Sequence, residues 1–546
     1  MFASVKFPAS GIKDSEFSFA LFNRTTYNWN NYFKSINDYA PYRSQAVAVS
    51  PTDESVIYYG NSTKMKKLKL EFEDQDVIST TLLSVNKVWH DDIHYLKFAS
   101  DNESIWMAHD GGIAIGSPEN ETGVSMTFNW QNHYKGLGVS NLNHMAQSER
   151  KPERLLYGAQ DTGCALKTET ENWKVVHLGD GYAVKFHPTY PDISFVSTQG
   201  DLKGSLNNGA NYYLVHDSHH GFKMNFNQVN INILYNAGEG IKELTFTDLP
   251  NSLAKTTRNL SENQYPNYEC YNVWAAPNDE NVVYANLKNK DDGFDHLLVR
   301  STNANAPVAD IVWENLYTIG GWVDVFEANN DGSTDLLFPK IAIDDEDPLK
   351  CWILASAWGT TEDKFFLLED NTWSLFDPER KLGIIRPKFI VHQYGSNDRI
   401  YVGTDRGVYY TEPSLDIEWV KLNGLPHAQV EELLINNCAQ KIRVATMVRG
   451  VWEADVIPLE QETLITENQE WSQTRVLGNS IRIQSGVRLK IKAEVQIPEN
   501  QYIYVEKGAE LIIDGGHLHN VCGKEWAGIF VEGDDELPQG NLLNSA

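Results

Sequence analysis

The chain has 546 residues, room for roughly three to four average domains or fewer large all-β bodies, and enough to bury a sizeable core unaided. Its 46 Lys and Arg against 74 Asp and Glu give a formal net charge of −28, which repels phosphate and argues against generic nucleic-acid or anionic-membrane binding, though not against a local basic patch. At 41% hydrophobic, with 15 Trp, 25 Tyr and 22 Phe, the composition excludes a disordered acidic polymer.

A short apolar strand recurs along the chain, often entered through an Asn, Asp or Pro turn and left through Gly. The copies are VIYYG (56–60), IWMAHDGGIAIG (105–116), RLLYGAQDTGCAL (154–166), ISFVSTQGDLKGS (193–205), NVVYANL (281–287), CWILASAW (351–358), RIYVGTDRGVYY (399–410) and KIRVATMVRGVWEAD (441–455). Successive starts lie 49, 49, 39, 88, 70, 48 and 42 residues apart. Most intervals fit the roughly 40 to 50 residues of a four-stranded propeller blade, and the two long ones leave room for an extra blade or a large loop. The expectation is an all-β fold, a multi-bladed β-propeller of seven to nine blades spanning 1–457.

Trp130, Trp173, Trp313, Trp373 and Trp419 close strands in register with these copies and are expected to wedge between neighbouring blades. HAQVEELLINN (427–437), which could be read as a helix, is taken as a blade strand because Pro426 precedes it and a strand copy follows. The acidic stretch 458–475 reads as a linker. Beyond it, IQSGVRLKI (483–491) and VEKGAELII (505–513) share one pattern at an offset of 22 residues, the spacing of one turn of a parallel β-solenoid, and WAGIFVEG (526–533) starts another rung. Residues 476–546 are therefore expected to form a short, truncated β-helix-like segment.

Five cysteines, Cys164, Cys270, Cys351, Cys438 and Cys522, are scattered and odd in number, so neither a disulfide framework nor a CxxC site is expected. The sequence has no apolar run of membrane-spanning length, and residues 1–17 lack a signal-peptide core.

Residues 132–200, with GAQDTG at Gly158–Gly163 and GDG at Gly179–Gly181, resemble a unit of the large secreted β-propeller proteins of Bacteroidetes-type bacteria. The strings at 338–356, 394–410, 419–436 and 441–455 resemble the last blades of the same proteins. These are similar to the sortilin-type (VPS10-like) and glycoside hydrolase family 74 propellers, whose BNR or Asp-box motif is only partly kept in KTETENW and LEDNTW. The resemblance implies secretion or surface display, with type IX export usual among the relatives, and either glycan and protein recognition or polysaccharide hydrolysis.

Hydrolysis of a glycosidic bond needs two carboxylates across a cleft. Asp110, Asp161, Asp180 and Asp405 sit at strand ends or in Gly-bounded turns and are the catalytic candidates, although an aspartate that caps a turn would recur in the same places. His90, Asp92 and His94 would share one face of an extended strand and could ligate a divalent metal ion. EANNDGSTDLL (327–337) resembles a calcium loop, with Asn329, Asp331, Ser333 and Asp335 as oxygen donors; no other cofactor is indicated. The leading expectation is a non-catalytic recognition or scaffold module that binds a glycan or extracellular protein through propeller loops. The competing one is a glycosidase with paired aspartates in the propeller cleft.

Overall fold

Strands of alternating inward apolar residues, separated by Gly- and Asn-bearing turns, account for nearly all regular structure in the computed structural model. It describes residues 3–5, 18–23, 28–33, 46–60, 64–73, 76–87, 90–133, 141–198, 201–217, 223–292, 295–320, 339–355 and 363–533. Among these there is no α-helix, only isolated 3-10 turns such as Val308–Asp310. The chain divides into two units, 1–139 and 140–546.

The first unit contains a three-stranded sheet (Ala3–Val5, Ser18–Asn23, Asn28–Phe33) and an eight-stranded one. The larger sheet consists of two four-stranded antiparallel meanders, 46–85 and 93–132, joined by parallel pairing of Ser125 and Met126 with Ser84 and Val85. The repeat copies beginning at Val56 and Ile105 are the second strands of these meanders.

The second unit holds a ring of seven antiparallel sheets. Blades 1 to 7 begin with the innermost strands Leu142–Gln147, Gly181–Phe186, Met224–Phe226, Tyr268–Ala275, Lys340–Ile343, Pro387–His392 and Val430–Asn436. Blade 7 has three strands and the others four. The 88-residue interval in the repeat spacing is filled by blade 3, whose central hairpin is Ile233–Gly238 with Gly240–Phe246. Residues 430–436 form a strand, as their neighbours in the sequence imply.

Flat apolar layers between successive blades make the core. Phe195, Phe226, Leu234 and Phe246 fill the space between blades 2 and 3, and Ile353, Phe366, Tyr284 and Trp373 that between blades 4 and 5. Three of the five tryptophans act as expected in the ring, each reaching back to the preceding blade. The indole N–H of Trp313 donates to the Leu260 carbonyl at 2.8 Å, that of Trp373 to the Leu316 carbonyl at 3.0 Å, and that of Trp419 to Asp377 Oδ2 at 3.0 Å. Trp130 packs in the first unit, stacked on Phe128. Trp173 departs from the expectation: it is 39% exposed and lies against Tyr157 on the blade edge.

The seam between blades 7 and 1 differs from the rest. Among the described residues its buried apolar cluster is Leu142, Met145, Ala159 and Ala445, with Tyr157, Leu434 and Val451 packed against it half-buried. Polar side chains do the joining: Arg443 Nη1 donates to Gln147 Oε1 at 3.0 Å, Gln147 Nε2 to the Ile435 carbonyl at 2.8 Å, and the Met145 N–H to Glu432 Oε2 at 3.1 Å. Buried charged groups of this kind are tolerated where each has a partner.

After blade 7 the chain winds into a parallel solenoid of about three turns, with sheets through 463–465, 481–483, 502–505 and 528–531, through 469–471, 488–491 and 510–513, and through 475–476, 494–496 and 517–519. Ile483 pairs with Val505 and Ile491 with Ile513, the 22-residue register read from the sequence. The stretch read as a linker, 458–475, already carries the strands Thr463–Ile465 and Gln469–Trp471; its acidic residues face outward while Ile465 and Trp471 are buried. Cys438, just after the innermost strand of blade 7, forms a disulfide with Cys522 of the solenoid. The two cysteines are 84 residues apart, and only the folded chain brings the blade 7 loop to that rung, so spacing gave no sign of the bond. Cys164, Cys270 and Cys351 are free and buried.

Candidate functional site

Two places in the ring concentrate functional groups: the end where each innermost strand begins, and the axis itself.

At the first, glycines bring blades 1 and 2 together. A Cβ on Gly158 would overlap the Tyr182 carbonyl, one on Gly181 would stand 2.5 Å from the Gly163 carbonyl oxygen, and Gly163 itself is left-handed at φ 85°. The GAQDTG and GDG strings are thus the two sides of one backbone contact. It positions Asp161, left-handed at φ 64°, so that its N–H donates to Asp180 Oδ1 at 3.0 Å. Burial, then the charges of Asp180 and Asp161, raise the pKa of the neighbouring Tyr182 phenol. Of the four candidate aspartates, these two are joined, by backbone N–H to carboxylate.

Asp405 lies in the blade 6 hairpin, where its Oδ1 accepts the Arg386 N–H at 3.1 Å, a turn cap like that of Asp180. Asp110 belongs to the first unit and is hydrogen-bonded to His94 Nε2. The expected alternation of His90, Asp92 and His94 on one strand does not occur. Asp92 is left-handed at φ 61° and the strand starts only at Ile93, so His90 and Asp92 precede it. No group of three or more His, Cys, Asp or Glu among the described residues is placed to hold a metal ion. Asn329, Asp331, Ser333 and Asp335 lie outside the described residues.

Along the axis, charged side chains that the sequence reading passed over project from the innermost strands into a cavity of about 370 Å³. Glu432 is the centre of this group: its Oε2 bonds His144 Nδ1 at 3.0 Å, and its Oε1 accepts from Lys223 Nζ at 3.2 Å. Burial alone would raise the Glu432 pKa, but Lys223 and the bond to His144 outweigh it and hold the carboxyl well below its ordinary range. His144 is pushed down to about 4 by burial and by Lys223, so it stays neutral. Lys388 Nζ pairs with Glu431 Oε1 at 2.8 Å. Burial and the repulsion of Lys223 lower Lys340 to about 7, while burial lifts Glu149 to about 7. Ionisable groups moved so far from ordinary values are a recurrent mark of functional sites. Their sequence signal was a charge at an inward position of an otherwise apolar strand, as in PKFIVH and VEELLIN.

One mouth of the cavity is covered. Thr474, Val476, Glu494 and Gln496 of the solenoid line it, Arg150 Nη2 of blade 1 bonds Glu494 Oε1 at 3.1 Å, and Arg475 Nη1 bonds Glu346 Oε2 of blade 5 at 2.7 Å.

No family model and no curated protein matches the sequence. Among solved structures the chain is similar to an ancestral GH74 enzyme, with a TM-score of 0.52 and 10% identity, covering 82% of this chain and 69% of that one. The likeness is one of fold. A GH74 xyloglucanase from Xanthomonas campestris matches at TM-score 0.45 and 12% identity over 80% of this chain and 63% of its own. The GH74 enzyme of Niastella koreensis matches at 0.41 and 13% over 80% and 64%. The chain thus spans less than two thirds of the length of those last two enzymes. No helix among the described residues is long and apolar enough to cross a membrane.

Proposed function

We propose that the chain engages a polysaccharide at the loop end of its seven-bladed ring and hydrolyses it, with Asp161 and Asp180 as the carboxylate pair. The observation that carries this reading is the hydrogen bond from the Asp161 backbone N–H to the Asp180 carboxylate, which sets both residues beside Tyr182 at the junction of blades 1 and 2. One carboxyl would protonate the leaving oxygen while the other acts on the anomeric carbon or on water. The fold shared with an ancestral GH74 enzyme supports the substrate class. The disulfide between Cys438 and Cys522 supports an oxidising, extracellular location, in keeping with the resemblance to secreted and sortilin-like propellers.

A second reading, glycan or protein recognition without cleavage, is favoured by the use of Asp180 and Asp405 as acceptors for backbone N–H groups. Incubating the full chain with a panel of neutral plant and microbial polysaccharides, followed by product analysis, separates the two. New reducing ends, reduced by at least about 100-fold in D161N and D180N, support hydrolysis. Retention of a polysaccharide with no product supports recognition. Cleavage unchanged in both variants removes these aspartates from the chemistry.

A further inference from the structure

The axial cavity is lined by three lysines and three glutamates, and not every lysine is paired. Lys223 is matched by Glu432, and Glu494 by Arg150 and His519. Two amino groups remain, and burial lowers the pKa of both, that of Lys340 to about 7. Lys185, on the innermost strand of blade 2, has no hydrogen bond or ion pair among the described residues, and Glu432 and Glu149 attract it only from beyond that range. Lys340, at the start of the innermost strand of blade 5, donates to the Asn272 side-chain oxygen at 3.2 Å and has no carboxylate partner among the described residues. Blades 2 and 5 stand on nearly opposite sides of a seven-bladed ring, so the two lysines approach the axis from facing walls. Glu149, the remaining acid of the lining, is kept largely neutral up to about pH 7 by burial.

An unmatched charge in a low-dielectric cavity is costly unless a counter-ion occupies it. In a chain of net charge −28, two lysines gathered on one cavity without a carboxylate partner are a local exception. Its remaining lining suits a polyhydroxylated ligand: Asn225, Gln228 and Asn272 offer amide donors and acceptors, and Phe389 offers an apolar face. The solenoid covers one end, which makes the channel a blind pocket.

We propose that the propeller axis is a binding site for a small oxyanion, a carboxylate or phosphate borne on a molecule about the size of one sugar ring, clamped between Lys185 and Lys340. The site stands apart from the Asp161 and Asp180 junction and does not depend on hydrolysis there. Carboxylate and phosphate share the chemistry of accepting charge-assisted hydrogen bonds from ammonium groups, and the ring-sized cavity limits the ligand to a monomer rather than a polymer strand.

Calorimetric titration of the full chain with D-glucuronate, inorganic phosphate and, as a neutral control, D-glucose tests it. Saturable one-to-one binding of glucuronate or phosphate, with none of glucose, is expected. Binding of glucuronate alone assigns the carboxylate source, and binding of phosphate alone assigns the phosphate source. K185M and K340M, which keep the side-chain length and remove the charge, should each weaken the bound anion by at least about tenfold. A measurement on the unaltered protein covers the case in which a variant does not fold. At ten times the Kd of the probe, amine acylation of Lys185 and Lys340 should slow about tenfold while that of the exposed Lys524 is unchanged. Absence of saturable binding by both anions, equal binding of glucose, or acylation of Lys185 and Lys340 indifferent to the bound probe overturns the proposal.

Discussion

Breaking the bond between Cys438 and Cys522 should loosen the solenoid by an amount the sequence separation sets. The bond closes a loop of 84 residues, for which the chain-entropy relation gives about 4.5 kcal/mol at 25 °C. Most of that acts on states in which the solenoid has come away, because the link keeps its far end near blade 7. Hydrogen exchange followed by mass spectrometry reads it locally, on the rung strands Ile481–Ile483 and Tyr502–Val505, whose side chains Ile481, Ile483, Ile503 and Val505 are buried. In C438A/C522A, exchange there should accelerate by about three orders of magnitude, the factor that corresponds to 4.5 kcal/mol. Peptides of blades 2 to 4 should change little. Acceleration of less than about tenfold in the rungs would refute the idea that the link, rather than rung packing, holds the solenoid in place.

G158A and G181A should each lower stability by more than about 3 kcal/mol in denaturant titrations, since the new methyl group meets backbone oxygen that has no room to retreat. E432A leaves Lys223 without its carboxylate near the axis and should cost about 3 to 5 kcal/mol, with E432Q milder because an amide oxygen can still accept the Met145 N–H; equal losses in the two would refute the charge argument. W373A should cost about 3 to 5 kcal/mol and W173A clearly less, in line with their burial, and the reverse order would discredit the wedge assignment. His144 and His187 are held down to about 4, mainly by burial, against an ordinary value of 6.5. Their depressed values contribute stability that is present above pH 6.5 and is lost as pH falls toward 4, at about 3 kcal/mol each, so a Tm that stays flat across that window would contradict them.

The strands were legible because each carries its own alternation and its own turn residues, as at Thr404 to Gly407, and no distant partner is needed to see them. The solenoid register was legible for the same reason, since stacked rungs repeat side chains at a fixed offset. Blade 3 was harder to see: its hairpin turns at Gly238 and Gly240, and its strands sit within the longest gap between the copies. The axial site was illegible for a different reason. His144 and Glu432 are 288 residues apart, and a lysine within an apolar strand looks the same whether it faces solvent or the centre of a closed ring. Asp92 shows the converse error, an alternation that a single left-handed residue prevents.

The polar seam between blades 7 and 1 gives the solenoid a mechanical role. One of its anchors, Cys522, is fastened to Cys438 at the end of blade 7, while another, Glu494, holds Arg150 at the end of blade 1. The first and last blades share no strand, so a tensile load that would prise the ring apart meets an external clasp bridging the two edges it must separate. A propeller fastened in this way can leave its closing joint thin in apolar contacts and still resist being sprung open, provided the clasp stays oxidised.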